Sequence, residues 1–414
     1  MEIERPIATL KATGEGLSFS REERERHVYI VGKSGSGKTT TLFNLAMGDI
    51  VAGEGVAIID PHGDLAEAVA DCIPRERTNQ VCYFNVADTE QPVGFNPIAG
   101  IRPERQALAA SGIVSAFKAL WSDSWGSRTE HLLHHGVASL IEAGRSTLID
   151  LPRLYTDDAF RARIIGRVRD PITRRFWAEE FAGYDQRFRT EAVAPILNKA
   201  GQFAASPNVR LILGQVAPKF DLAHAMNHRQ IVIANLAKGQ IGEQATNLIG
   251  SLLVSHLQLA AMERSALPER DRVPFFAHID EFQSFSTDSF ASLLSEARKF
   301  RAHFCLANQY TSQLTPAVRA AVFGNAGSII VFRVGGEDAA LLAPEFHPLQ
   351  SSALAEQGPF QAWVRRGESG PKPVVASPSL YPLRGSRERV LSQSRRNFGR
   401  PRAQIEGGQG RGAV

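Results

Sequence analysis

The chain has 414 residues with a formal net charge of +4, 43% hydrophobic and 22% charged residues. These proportions fit a globular protein of one large domain or a few smaller ones and exclude a wholly disordered chain. No stretch offers the roughly 18 uninterrupted apolar residues of a spanning helix; the nearest, Leu248 to Met262, is broken by Ser251, Ser255, His256 and Gln258. The opening MEIERPIATLKATGEG lacks a signal-peptide core, and Cys72, Cys82 and Cys305 are too few and scattered for a disulfide framework. A soluble, cytoplasmic chain is expected. From Tyr381 onward eight arginines face two glutamates, a local +6 that leaves the body at −2. With so little to bury, residues 379–414 are predicted to form a disordered basic tail, either solubilising or in contact with nucleic acid.

In chain order, an apolar run at His27 to Val31 leads into a glycine-rich loop, and Leu42, Leu45, Ala46 and Ile50 then recur at helical spacing. A second strand is expected at Val56 to Asp60, a helix over 65–72 with Asp64 at its start, and a third strand at Val81 to Asn85. Such alternation predicts a mostly parallel sheet flanked by helices. Between residues 100 and 225 the periodicity turns helical, through Ile113, Phe117, Leu120 and Trp121, then Leu133, Val137, Leu140 and Ile141, then Val193, Ile196, Leu197, Ala200 and Phe203. Strands are again expected at 230–235, 274–280, 303–308 and 328–334, with helices over 241–264, 287–301 and from Glu337, and a hairpin near 360–375. The expected domains are therefore 1–99 and 226–378, two parts of one α/β core, an all-helical insertion over 100–225, and the tail over 379–414.

Residues 32 to 39 match G-x-x-x-x-G-K-[ST] between a strand and a helix. Small residues let backbone N–H groups close around phosphate oxygens at a helix N-terminus, where the dipole favours negative charge. The phosphate-binding set is Gly32, Ser34, Gly35, Ser36, Gly37, Lys38, Thr39 and Thr40. Lys38 is expected at the β- and γ-phosphates and Thr39 on Mg²⁺. The strand Pro274 to Ile279 ends in Asp280-Glu281. Asp280 is a second candidate Mg²⁺ ligand, and Glu281 a candidate base for the attacking water of an ATPase. Asp60-Pro61-His62-Gly63 satisfies D-x-x-G and raises the alternative of a GTPase, but a guanine-reading N-K-x-D is missing. Gln309, at the end of the strand after Asp280, is placed to touch a γ-phosphate, or to be an ordinary strand-end amide.

Several segments together resemble a known family. They are Asp60-Pro61-His62-Gly63-Asp64, Ile279-Asp280-Glu281-Phe282, Ser295-Glu296-Ala297-Arg298-Lys299, Ala307-Asn308-Gln309 with Ser312-Gln313-Leu314, and Gly324-Asn325-Ala326-Gly327 before Phe332-Arg333-Val334. Over residues 25 to 378 the chain resembles the TraG/TraD-type coupling ATPases of type IV secretion and conjugation, within the HerA/FtsK superfamily of P-loop motors. The resemblance implies a RecA-like core with an inserted all-helical domain, ATP and Mg²⁺ as cofactors, and a hexameric ring that moves DNA without sequence preference. It makes Gln309 a γ-phosphate sensor and Arg298 an arginine finger reaching a neighbouring subunit. Partners implied are DNA, a membrane-anchored or secretion-channel protein, and a relaxase-like protein or a nuclease. Coupling proteins carry membrane helices ahead of the nucleotide domain, whereas about 26 mixed residues precede the first strand here. The location expected is thus cytoplasmic, or peripheral at the inner membrane face through a partner. Two other readings stay open: a HerA-like motor in DNA repair, and a nucleotide-dependent scaffold that recruits proteins and hydrolyses slowly. His131 and His135, one helical turn apart, could bind a metal or simply pack. The arginines at 161, 163, 167, 169, 174 and 175 could meet phosphates or form a solvated mixed-charge face.

Overall fold

The structure, a computed structural model, describes residues 5–122, 125–367 and 369–411. Its strands are β1 (Ala8–Leu10), β2 (Gly16–Leu17), β3 (Val28–Val31), β4 (Gly55–Asp60), β5 (Val81–Asn85), β6 (Ile231–Asn235), β7 (Phe275–Ile279), β8 (Ala302–Asn308), β9 (Ser328–Phe332), β10 (Gln361–Arg366) and β11 (Ser369–Ala376). They form one sheet in the order β2-β1-β11-β10-β9-β3-β8-β7-β4-β6-β5. From β9 to β6 every neighbouring pair is parallel. The hairpin of β10 and β11 joins β9 antiparallel, and β1 and β2 extend that flank.

Chain contacts divide the protein into two compact units. Met1–Phe84, Leu222–Ala237 and Ala260–Ser394 make the α/β unit; Asn85–Asp221, Lys238–Leu259 and Arg395–Val414 make the helical one. The helical unit thus draws on more of the chain than residues 100–225. One apolar stretch, Glu243–Ala266, has the length and mean hydropathy (1.2) of a membrane-crossing helix, but 78% of that apolar window is buried inside the fold.

In the α/β unit each central strand is apolar on both faces, as parallel strands covered on both sides must be. Val28 and Ile30 of β3, with Cys305 and Ala307 of β8, pack against Leu42, Leu45 and Ala46 of the helix Lys38–Val51. Alternation turns Tyr29 and Phe304 to the opposite face. There Tyr29 meets the rings of Phe282 and Phe323, and Phe304 that of Phe290. The helical unit has its own core. Phe117, Trp121 and Phe203 form one ring cluster and Tyr155, Trp177 and Phe181 another, with Trp177 Nε1 donating to Ser139 Oγ at 2.8 Å.

The histidine pair of that unit is absorbed by packing, and part of the arginine run is engaged in local ion pairs. His135 stacks on Phe176 with 4.2 Å between ring centroids, and His131 Nε2 lies 3.1 Å from Glu180 Oε1. Arg161 pairs with Asp158, and Arg175 with Glu179 at 2.8 Å.

The tail corrects the expectation of disorder. Arg387–Phe398 and Arg402–Arg411 are helices, residues 412–414 lying outside the described ones. In the α/β unit Val390 is fully buried in the apolar core. Tyr83 N donates to Ser394 Oγ at 2.7 Å, and Ser386 Oγ donates to Ile73 O at 2.9 Å. Within the helical unit Arg395 pairs with Asp88 at 2.7 Å. One valine and a few hydroxyls anchor the first helix, too small a signal to stand out in an arginine-rich stretch. Val390→Asp is expected to cost about 3 kcal/mol, the scale of an unpaired charge placed in a core. Chemical denaturation checks this, because a free tail would leave the midpoint unchanged.

Candidate functional site

The glycine-rich loop runs from the end of β3 into the helix Lys38–Val51, whose cap is Gly37 at φ 117°. A Cβ there would be strained and would stand 3.0 Å from the Phe332 ring; one on Gly32 would fall 2.5 Å from Phe332 Cβ. The loop therefore packs down on β9 only because these positions lack side chains. Lys38 is buried, and its Nζ donates to Lys33 O at 3.0 Å. Burial lowers its pKa against the opposing pull of Asp280 and Glu281. The buried Ser36 Oγ has no partner among the described residues. Serine hydroxyl, buried ammonium and loop N–H groups together make a donor cradle that fits phosphate oxygens.

Parallel register brings the acidic partners to this loop. Val31 of β3 is level with Asn308 of β8, and Ile279 of β7 with Leu306 of β8 and Ile59 of β4. One step on, Asp60, Asp280, Glu281 and Gln309 all emerge at the same edge. Thr39 Oγ1 donates to Asp280 Oδ2 at 3.2 Å, and Glu281 N to Asp280 Oδ1 at 3.0 Å. Burial raises the Asp280 pKa to about 6, with the Asp60 charge adding to the effect. Two hard oxygen donors, the buried Asp280 carboxylate and the Thr39 hydroxyl, fit a divalent cation.

Glu281 has left-handed backbone angles (φ 45°, ψ 46°). Its Oε1 accepts from Gln309 Nε2, and its Oε2 lies 3.4 Å from His62 Nε2. His62 is the site residue that the sequence reading left without a role, although its turn, Asp60-Pro61-His62-Gly63, was noted. Asp60 holds that turn through Oδ1, which accepts from His62 N at 2.9 Å, and Oδ2, which accepts from Ala66 N at 2.9 Å.

Lys38, Thr39, Asp280, Glu281 and Gln309 thus lie together, with Gly32, Ser36 and Gly37 in the loop wall. Ser34, Gly35 and Thr39 are exposed and Thr40 half-buried. Arg298 is not among them. It is exposed in the short 3-10 turn Ala297–Phe300 that precedes β8, whereas Gln309 follows β8.

Fold and site together define a P-loop nucleotide-binding protein with a RecA-like core and an inserted helical domain. A sequence model described as the type IV secretion-system coupling protein DNA-binding domain matches residues 11–191. The type 4 coupling protein DotL of Legionella pneumophila is 41% identical over 54 residues, which are 13% of this chain and 7% of DotL, so the chain spans a small part of that relative. The unbound bacterial conjugative coupling protein TrwBΔN70 superposes with a TM-score of 0.67 at 17% identity, covering 93% of this chain and 92% of that one. TrwB in complex with ADP and Mg²⁺ gives 0.65 at 16% identity, with the same coverages. VirB4 of Thermoanaerobacter pseudethanolicus gives 0.59 at 16%, covering 92% and 98%. The chain is thus similar to type IV secretion coupling proteins over residues 11–191, and its fold is that of TrwB.

The raised Asp280 pKa has a consequence for stability. A carboxyl favoured in its protonated form by the fold leaves stability whole below its unfolded pKa near 4 and erodes it as pH rises through about 6. Without nucleotide or Mg²⁺, Asp280→Asn is expected to be more stable than the parent by about 3 kcal/mol at pH 7.5, at about 1.4 kcal/mol per pKa unit. The gap should close towards pH 4.5. Melting curves at the two pH values decide, and a gap that does not narrow contradicts the assignment.

Proposed function

We propose that the protein is an ATP-hydrolysing DNA translocase, the coupling ATPase of conjugative transfer or a type IV secretion-like process, working as a hexameric ring. The observation that carries this reading is the meeting of Lys38, Thr39, Asp280, Glu281 and Gln309 at the ends of three adjacent parallel strands. The coupling-protein DNA-binding domain match over residues 11–191 supports the cargo.

In this reading the loop N–H groups and Lys38 bind the triphosphate and offset the charge that develops on it. Thr39 and Asp280 would hold Mg²⁺, which when bound supplies further charge neutralisation at the phosphates. Glu281 orients the attacking water and takes its proton, and Gln309 contacts the γ-phosphate. DNA is gripped through its phosphates, so binding weakens steeply with salt. The motor works in the cytoplasm or at the inner membrane face, held by a membrane-anchored or secretion-channel partner, with a relaxase-like protein or nuclease supplying DNA.

Position supports a role in trans for Arg298. Seven residues of β8 lie between it and Gln309, about 23 Å of strand at roughly 3.3 Å per residue. An arginine side chain does not span that distance, so a finger on Arg298 serves the next copy's nucleotide.

Steady-state ATP turnover with and without single- and double-stranded DNA tests the proposal. DNA should stimulate turnover, and Lys38→Ala and Glu281→Gln should each lower it at least ~100-fold. Turnover indifferent to DNA would move the reading to the protein-recruiting scaffold. For Arg298, rings mixed from Arg298→Ala and Lys38→Ala chains are expected to regain up to about a quarter of parent turnover, since about a quarter of sites in a random one-to-one ring then pair an intact cradle with an intact neighbour's arginine. Each variant alone should be inactive, and a mixture that stays inactive removes the role in trans.

A further inference from the structure

One oxygen of the Glu281 carboxylate accepts from Gln309, and the other faces His62 Nε2 at 3.4 Å. We propose that His62 is a positioning residue for the hydrolytic base, fixing the direction of the Glu281 carboxylate; the inference rests on the ATPase reading above.

Strand geometry does not aim Glu281. The residue follows β7 in a left-handed conformation, outside the alternation that sets side-chain direction along a strand. A glutamate has three side-chain torsions, and ordering it costs on the order of 1 kcal/mol or more. A single contact to Gln309 leaves the carboxylate free to turn about that bond, and a second contact on the other oxygen removes that freedom.

The loop that carries His62 is built to hold a position. Asp60 accepts from the backbone of His62 and Ala66. Gly63, at φ 102°, leaves only 2.8 Å between a Cβ position and the Asn235 amide. Asn235 is itself fixed, donating to Tyr83 OH at 3.2 Å and accepting from Ala237 N at 3.0 Å. The His62 ring, by contrast, is half exposed at 51% and contributes little to the core. Its separation of 3.4 Å from Glu281 is slightly beyond an ordinary N–H···O bond.

The test is the ATPase kinetics of the full chain. His62→Ala is expected to lower kcat about 10-fold while KM for ATP and the affinity for ADP stay within about twofold, because the phosphate cradle is untouched. His62→Gln, which keeps an N–H donor at similar reach, should recover at least half of the lost rate. In a Glu281→Gln background His62→Ala should add nothing, since a positioning residue acts only through the group it positions. A kcat within twofold of the parent for His62→Ala, a rise in KM instead of a fall in kcat, or an equal further loss in the Glu281→Gln background overturns the proposal. Absence of turnover in the parent chain would instead count against the ATPase reading itself.

Discussion

Everything at this site depends on one electrostatic constraint. Parallel strands share a direction, so the acidic residues that end β4 and β7 must emerge side by side at one edge. Asp60, Asp280 and Glu281 are crowded there next to the buried ammonium of Lys38. The two aspartates meet the crowding differently. Asp60 spends both oxygens on backbone N–H groups and becomes part of a turn. Asp280 receives one backbone N–H and one hydroxyl, and burial drives its pKa to about 6. The uncompensated charge is therefore localised on Asp280, next to the Thr39 hydroxyl, and this is where a divalent cation relieves the fold most.

That imbalance also explains how the surrounding backbone is arranged. Two residues at the strand ends, Ala237 and Glu281, take left-handed angles that cost non-glycine residues of order 1 kcal/mol. At Glu281 the bend returns Phe282 to the core, where it is almost fully buried, while the carboxylate stays at the edge. At Ala237 the bend lets its N–H reach the Asn235 side chain, which closes against Gly63. Asn235-Leu236-Ala237 is thereby a brace for the turn that bears His62, a role that nothing in its own sequence announces.

The legible parts were those written contiguously. The phosphate loop combines glycine spacing, a lysine and a flanking strand and helix within a short segment, and Asp280-Glu281 caps an unmistakably apolar strand. Gln309 could be placed by its position after the next strand. His62 could not, because its importance arises from a register between β4 and β7 that brings together residues more than 200 positions apart. The extent of the helical unit was obscured for the same reason, since Lys238–Leu259 and Arg395–Val414 join it from distant parts of the chain. β1 and β2, three and two residues long, are too short to carry a periodicity, and they are strands because β11 offers β1 a free edge and β1 in turn offers one to β2. The tail hides its order because its docking rests on one buried valine and on hydroxyl hydrogen bonds rather than on a repeating apolar pattern.

The opposite edge of the sheet has the opposite character. Where β7 and β8 begin, Arg264, Arg298 and Arg301 gather near His27 and His303, and burial together with the surrounding positive charge lowers both imidazoles to a pKa of about 3. These histidines are therefore neutral at any physiological pH, and the basic charge belongs to the arginines. Arg264 is consumed internally: its guanidinium is fully buried and donates to Asn227 Oδ1 and to the carbonyls of Met226, Val273 and Phe300. Arg298 is exposed, and its guanidinium makes no ion pair or hydrogen bond among the described residues. The sheet is thus acidic at the edge beside the phosphate loop, whereas near the other edge Arg298 is exposed.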